Sequence, residues 1–137
     1  MPQSNEFAHQ VLDKLESDLV STSSNALIII AGDFNCTLQP EKDRSNSREY
    51  RKILQTRLQT FIQTHELTDP WREFYPDARE FTFIGTSQTQ PKARLDRFYV
   101  NGSLFARIKQ THIQPTSFFT DHHPICLTLT SPSLVLH

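Results

Sequence analysis

The chain has 137 residues, of which 36% are hydrophobic and 21% are charged, and its formal net charge is −1. This length fits one domain or a large part of one, and the composition is that of an ordinary soluble globular protein. No apolar run approaches the ~20 residues of a membrane span, no signal peptide opens the chain, and the near-neutral charge gives no general attraction to nucleic acid.

The first half of the chain predicts two amphipathic helices with a strand between them. Apolar residues three or four apart predict a helix over residues 5–20 and another over 46–65, where Asn46 and Glu49 have capping-box spacing. The apolar run that reaches Asp33 from residue 27 predicts a strand, and apolar residues on both of its faces predict an interior position.

Strands dominate the second half. A turn region with two prolines over residues 69–76 precedes predicted strands at 80–84, 94–100, 108–113 and 125–129. Helices and strands that alternate at first and give way to strands later favour a layered α/β sheet.

Polar residues stand at the ends of these strands or in the adjoining loops: Asp33 with Asn35, Asp96, and Asp121 with His122. Each has a plain structural explanation, because Gly-Asp after a strand is often only a turn and an aspartate between arginines is often a surface ion pair. Together they fit hard-cation phosphate chemistry better, since Mg²⁺ prefers carboxylate oxygens and a histidine beside a carboxylate can face a phosphate.

Two other kinds of site are disfavoured. A zinc site from His122 and His123 would need neighbouring residues on an extended chain to point to the same side. A Ser-His-Asp triad lacks a serine in a recognisable nucleophile context.

Ordered motifs give the chemistry a more specific context. GDFN at 32–35, RLDR at 94–97 and TDHHP at 120–124 resemble the later half of the endonuclease/exonuclease/phosphatase superfamily, which includes apurinic endonucleases and DNase I-like nucleases. DPWR at 69–72 and FTF at 81–83 resemble the endonuclease domains of non-LTR (LINE-type) retrotransposons.

The resemblance implies part of a four-layered α/β sandwich, the DNase I-like fold, with helices packed on a mixed, largely antiparallel sheet. Residues 1–137 would be a single domain, the carboxyl-terminal portion of the superfamily's domain. The superfamily's first half supplies an asparagine, the main metal-binding glutamate and a phosphate-contacting tyrosine, and none of these has a counterpart here. We therefore expect an incomplete chain with weak activity or none.

The resemblance also implies roles for individual residues. Asp33 would orient or activate the attacking water, and Asn35 would be its partner in binding that water. His122 would contact the scissile phosphate, Asp96 would orient His122, and Asp121 would lie near the metal together with Asp33.

Further residues are expected around the substrate. The resemblance places Thr82 and Phe83 close to the substrate-binding face. Arg94 and Arg97, with Lys92, are the candidate basic face for DNA phosphates. We expect Trp71 to be a core residue rather than a DNA contact.

The resemblance implies an endonuclease that nicks DNA by hydrolysing phosphodiester bonds. Its cofactor would be Mg²⁺, with Mn²⁺ as the alternative. Its partners would be the DNA backbone and either the missing first half or a reverse transcriptase domain, with no membrane. Two alternatives stay open: a phosphomonoesterase of the same superfamily, and a non-catalytic remnant with at most weak nucleic-acid binding. Two cysteines are too few for a disulfide framework and indicate an intracellular protein, nuclear or cytoplasmic.

Overall fold

The computed structural model describes residues 2–85, 89–116 and 120–130, with side chains from residue 6 onward. Its elements in chain order are α1 (Pro2–Val20), β1 (Ile29–Asp33), α2 (Pro40–Asp43), α3 (Lys52–Thr64), α4 (Pro70–Phe74), β2 (Asp96–Val100), α5 (Gly102–Phe105), β3 (Ile108–Ile113) and β4 (Ile125–Leu129).

The described strands form two antiparallel pairs. β1 pairs with β2 in a register that runs from Ile29 opposite Val100 to Asp33 opposite Asp96. β3 pairs with β4 and carries one irregularity, between Ile108 and Gln110. The expected α/β class is confirmed, and all strand pairs in the described residues are antiparallel.

The hydrophobic core lies where α1 and α3 cover one face of the β1–β2 pair. Its buried members include Leu12, Leu54, Leu58, Phe61 and Tyr99. Burying such a side chain contributes about 1.5–3 kcal/mol each. The helix predicted over residues 46–65 is α3, and its apolar residues Leu54, Leu58 and Phe61 face the core, whereas its apolar residue Ile53 is 79% exposed.

The prediction that the first strand lies in the interior is wrong for the described structure. Ile29 is 48% exposed and Leu27 is 45% exposed, whereas Ile30 packs against the core. Within the described residues β1 has a ladder partner on only one edge. One edge and part of one face of an apolar strand are consequently open.

The predicted capping box is also wrong. The helix predicted over residues 46–65, α3, begins at Lys52 rather than near Asn46. The cap residue of α3 makes no side-chain hydrogen bond. Glu49 is buried and instead accepts hydrogen bonds from the backbone N–H groups of Thr37 and Arg51. Glu49 thus connects the residue before α3 to the loop after β1.

Three segments differ from their predicted state. Residues 80–84 are not a strand, since only Phe83 forms isolated bridges. The predicted turn after residue 69 is the short helix α4, which starts with Pro70 and is capped by the Asp69 carboxylate. A similar cap from the Asn101 side chain starts α5, which the apolar pattern does not reveal.

Both cysteines are free thiols, and Cys36 is fully buried. Among the described residues, none of the helices combines the length and the apolar character needed to cross a membrane.

Candidate active site

Two aspartates meet across the β1–β2 ladder. Asp33 and Asp96 are directly opposite each other in the register, so their side chains lie on the same face. Like charges in this position destabilise a sheet unless something compensates them. The sequence expectation that these carboxylates converge matches this geometry.

The imidazole of His122 lies between the two carboxylates. Its Nδ1 donates to an Asp96 carboxylate oxygen at 2.8 Å, and its Nε2 is 3.9 Å from an Asp33 carboxylate oxygen. The positive form of the imidazole compensates the like charges on the ladder. The carboxylate on Nδ1 also fixes the ring orientation and leaves Nε2 on the side of Asp33.

These neighbours change the acid–base properties of both partners. Burial, which is the largest effect, raises the pKa of Asp33, and the nearby Asp96 adds to this, whereas the N–H of Asn35 and the charge of His122 oppose it. Partial burial acts to lower the pKa of His122, but the hydrogen bond to Asp96 and the charges of Asp96, Asp33 and Asp121 outweigh it. The net result is a raised His122 pKa.

The loop after β1 is held in one strained conformation. Asn35 has a left-handed backbone with φ of 59°, and its N–H donates to the Asp33 carboxylate at 2.8 Å. Asparagine tolerates this region better than most residues. The N–H of Phe34 donates to the Leu95 carbonyl, and Thr37 donates to buried Glu49 through its N–H and its hydroxyl. These bonds fix the positions of Asp33 and Asn35 relative to each other.

A short segment around Phe83 joins the β2 end of the site to the His122 loop. Phe83 exchanges backbone hydrogen bonds with Ala93, while the N–H of His123 donates to the Thr82 carbonyl. The Phe83 ring packs against the His122 imidazole with ring centres 5.3 Å apart. The segment therefore sets the distance between His122 and Asp96.

Thr82 itself is fully buried, so the expectation that it binds substrate directly is wrong, although it lies close to the site as expected. Its hydroxyl oxygen accepts from the N–H groups of Leu95 and Asp96, each at 3.0 Å. Phe83 is only partly buried and contacts His122 directly. Thr82 is accordingly a residue that positions Asp96.

We expect Thr82→Val to destabilise the protein by about 1–3 kcal/mol, because it removes the acceptor of two partly buried N–H groups, those of Leu95 and Asp96. Urea unfolding measures this loss. Thr82→Ser is the matched control, since it keeps the hydroxyl and should retain most of the stability. Equal stability of the valine and serine variants would show that the hydroxyl has no positioning role.

The expectation of a basic face formed by Arg94 and Arg97 is wrong, because both side chains are 2% exposed. Arg94 donates to the carboxylates of Asp43 and Asp69. The Arg94 guanidinium also lies 4.7 Å from the ring centre of Trp71. Trp71 is 5% exposed, which confirms its core role.

Arg97 extends on the other face of β2 from Asp96. Its Nε donates to the Tyr99 hydroxyl, and its Nη1 donates to the carbonyls of Cys36 and Arg94. Cys36 directly follows Asn35, so this buried arginine supports the loop that carries the candidate water-binding pair. Of the expected basic face, only Lys92 is exposed.

The supporting residues Asp43, Glu49 and Arg97 were not identified from the sequence as parts of the site's framework. Asp43 ends the short helix α2 and Glu49 lies just before α3, and a charged residue in such a position is normally interpreted as exposed. The sequence does place these carboxylates near several arginines and close to the motifs. The spacing of residues along the chain, however, does not show which side chains are buried.

The three residues of the site offer ligand atoms for a divalent cation. Oxygen or nitrogen atoms of Asp33, Asp96 and His122 all lie within 4.8 Å of one another. Mg²⁺ is commonly held by one or two carboxylates, with water and phosphate oxygens completing its shell. The two carboxylates fit that requirement, while the imidazole is already bonded to Asp96.

Asp121 lies beside this cluster without being part of it. Its side chain is exposed, and its carbonyl accepts from the N–H of Ile84. Its charge acts on His122 from outside the cluster. The structure thus brings Asp33 into the candidate metal cluster and leaves Asp121 at its margin.

One curated relative and several solved structures are similar to this chain. The chain is 31% identical over 124 residues to the transposon TX1 uncharacterized 149 kDa protein of Xenopus laevis, a match over 89% of this chain and 9% of that protein. No family model matches the chain.

Its fold is that of several nucleic-acid enzymes. An AP endonuclease from Leishmania major superposes with a TM-score of 0.72 at 22% identity, over 92% of this chain and 43% of that chain. The 3'-5' exonuclease NExo from Neisseria meningitidis has a TM-score of 0.76 at 13% identity, over 93% and 54%. The 3' phosphatase NExo bound to a product DNA hairpin has a TM-score of 0.69 at 14% identity, over 95% and 54%.

The chain spans about half the length, or somewhat less, of these solved structures and about a tenth of the transposon protein. The fold of these structures has the α/β class that the sequence predicts. The similarity to a transposon protein is consistent with the motifs that resemble retrotransposon endonucleases. The chain shares the α/β fold of these endonuclease, exonuclease and phosphatase structures, and its sequence is similar to part of the transposon TX1 protein.

Proposed function

We propose that the chain is the carboxyl-terminal part of a Mg²⁺-dependent phosphodiesterase domain that nicks DNA, of the type found in LINE-type retrotransposons. The observation that carries this proposal is the imidazole of His122 between the carboxylates of Asp96 and Asp33. The transposon relative supports the retrotransposon context, and the nuclease folds of the neighbours support hydrolysis at phosphorus.

The residues of the site have complementary tasks in such a reaction. Asp33, with Asn35 beside it, orients a water molecule for in-line attack and accepts its proton. His122, kept positive by Asp96, neutralises charge on a phosphate oxygen through Nε2. A bound Mg²⁺ on the carboxylates of Asp33 and Asp96 would supply further charge neutralisation at the phosphate.

Open apolar surface next to Asp33 supports the proposal that the domain has a further part. A groove of about 230 Å³ between α1 and β1 is lined by residues that include Phe7, Val11, Asp33 and Asn35. Phe7 is 67% exposed and Val11 is 41% exposed. A preceding segment that packs here would cover the apolar groove and bring further metal ligands beside Asp33.

The proposal is tested by incubating supercoiled plasmid with Mg²⁺ and either this chain or a longer version that includes residues encoded upstream. We expect little or no nicking by the chain alone and clear nicking by the longer version. That nicking should disappear in EDTA and in Asp33→Ala.

Asp77→Ala is the matched control, because the Asp77 side chain is 98% exposed and is not a member of the ligand cluster in the site. It should nick like the unmodified longer version. Nicking that persists in Asp33→Ala would contradict the assigned site. Inactivity of the longer version, with a correct fold, would favour the non-catalytic alternative.

The phosphomonoesterase alternative has one specific observation in its favour, since one neighbour is a 3' phosphatase. The same preparations can therefore be given an oligonucleotide with a 3'-phosphate. Release of inorganic phosphate without plasmid nicking would favour that alternative over the endonuclease.

A further inference from the structure

A groove of about 350 Å³ lies on the surface where α1 meets the beginning of α3. His9 of α1 lines it together with the five consecutive residues 50–54, and none of these six residues is a carboxylate. Two of them, Arg51 and Lys52, are cations whose side chains form no hydrogen bond or ion pair within the described part of the chain. The groove therefore presents uncompensated positive charge to solvent.

The segment that leads into this groove is basic as well. Residues 44–52 contain one acid, Glu49, and four cations, which are Arg44, Arg48, Arg51 and Lys52. Glu49 is buried, and Arg44 matches its charge with a nitrogen–oxygen distance of 2.9 Å. Arg48 is exposed, and its side chain has no partner among the described residues. Three cations of this segment are thus available to attract a polyanion.

The ring of Tyr50 stands at this groove in a fixed position. It is 65% exposed, and its hydroxyl accepts a hydrogen bond from Nδ2 of Asn46 at 2.6 Å. The guanidinium of Arg44, which Glu49 holds, lies 5.9 Å from the centre of the ring. One face of the ring is consequently next to a fixed cation, and the face away from Arg44 is open to solvent. An open aromatic face beside cations is a surface on which a nucleobase stacks.

We infer that this groove binds single-stranded nucleic acid, with phosphates along Arg48, Arg51 and Lys52 and one base stacked on the open face of Tyr50. A cationic groove combined with an exposed aromatic ring is the usual arrangement for binding a single strand. A duplex fits less well, because its paired bases are already stacked on one another and offer no free face to a side chain. These residues supply the attraction to phosphates that the buried Arg94 and Arg97 cannot supply.

Backbone bridges connect this segment to the candidate active site. Arg44 forms a bridge with Ala93, which forms another with Phe83, and Phe83 in turn forms one with His122. Three steps of about 4.8 Å each make a distance of about 14 Å from the backbone of Arg44 to that of His122. A strand that rises about 3.4 Å per nucleotide covers this distance in about four nucleotides. This placement of the strand relative to the scissile phosphate rests on the proposed function, whereas binding at the groove does not.

Fluorescence anisotropy of a labelled oligothymidylate, measured at low salt in EDTA, tests the inference on the chain as it exists. We expect Tyr50→Ala to weaken binding about tenfold, because it removes the ring on which a base stacks. The exposure of this side chain means that the fold is retained, and circular dichroism checks this. Tyr50→Phe keeps the ring and should bind within about twofold of the unmodified chain. A duplex of the same length should bind less tightly and should respond little to Tyr50→Ala.

Lys52→Gln and Lys109→Gln are the matched pair that separates the groove from the net charge of the chain. Both lysines are exposed, but Lys109 belongs to β3 and does not line the groove. Lys52→Gln should weaken binding and reduce the slope of log affinity against log salt by about 0.7, the value for one phosphate contact with a single strand. Lys109→Gln should leave the affinity and the slope unchanged.

Several results would overturn the inference. Equal losses in Lys52→Gln and Lys109→Gln would mean a general charge effect, and a loss in Tyr50→Phe as large as in Tyr50→Ala would exclude stacking on the ring. Tighter binding of the duplex, or no saturable binding of the oligothymidylate, would also contradict it. Asp33→Ala, which should abolish nicking by the longer version, should keep this binding. The failure of the proposed function and the failure of this inference are therefore distinguishable.

Discussion

Replacement of Asp43 by asparagine is expected to lower the free energy of unfolding by about 3–5 kcal/mol. Asp43 is 2% exposed and accepts hydrogen bonds from both Arg94 and Arg72. The asparagine keeps the shape of the side chain but leaves these two guanidiniums with one buried counter-charge fewer. Urea unfolding at pH 7 measures the loss, and Tm should fall by on the order of 10 °C.

The pH dependence of this loss distinguishes the ion pair from simple packing. Burial alone would raise the pKa of Asp43, but the charges and hydrogen bonds of Arg94 and Arg72 lower it overall. The stabilisation is therefore fully present above the ordinary carboxyl value of 3.8, and it is lost as pH falls through the lowered folded-state value. The difference in free energy of unfolding between the unmodified chain and Asp43→Asn should become smaller in that acid pH range.

Asp77→Asn is the matched control for this comparison, since the same chemical change occurs on a side chain that is 98% exposed. It should change stability by less than about 0.5 kcal/mol. A stability loss in Asp43→Asn that is the same at every pH would argue that the ionic contribution of this carboxylate is negligible.

The sequence predicted the long helices and four of the strands well, because their apolar residues repeat with a clear period. The prediction from sequence failed where a side chain can form hydrogen bonds either with its neighbours in the chain or with distant residues. Glu49 has the spacing of a helix cap but accepts from Thr37, which is twelve positions earlier in the chain. Likewise, β1 has the composition of an interior strand, yet Ile29 is 48% exposed because composition does not tell which neighbours are present.

The residues of the candidate site were predicted more completely than the buried residues that hold them in place. Asp33, Asp96 and His122 stand at strand ends or in loops, where ordered motifs point to them, and the structure brings them together. Arg94 and Arg97 belong to the same motif but face the interior. Strand alternation separates Asp96 from Arg97, and burial of an arginine depends on carboxylates that lie 25 and 51 positions away from Arg94. Such distant pairing has no local signature.

Replacement of Asp96 by asparagine is expected to lower the pKa of His122 toward its ordinary value of 6.5. The carboxylate of Asp96 is the hydrogen-bond partner of Nδ1 at 2.8 Å, and it is the main influence that raises this pKa. NMR titration of the imidazole in the chain as it exists measures the change without any need for activity. His122→Gln identifies the resonance among the six histidines.

Asp121→Asn is the matched comparison, since it removes a nearby negative charge without removing the hydrogen bond. It should lower the pKa of His122 less than Asp96→Asn does. Because the folded-state pKa of His122 is raised, the ionic stabilisation that it provides is present below the unfolded value near 6.5. It is lost as pH rises through the folded-state value. An unchanged His122 titration in Asp96→Asn would refute the assigned pairing.

In the longer, nicking-competent version, the same Asp96→Asn substitution should lower the nicking rate about 10²–10⁴-fold near neutral pH. Loss of the carboxylate leaves a larger fraction of His122 uncharged and frees its ring to turn, so Nε2 is less often a charged donor toward the phosphate. Lowering the pH should restore part of the rate, because it restores the charge but not the orientation. A full recovery at low pH would mean that Asp96 acts only through the charge of His122, and no recovery would mean that it acts by orienting the imidazole or by holding the metal ion.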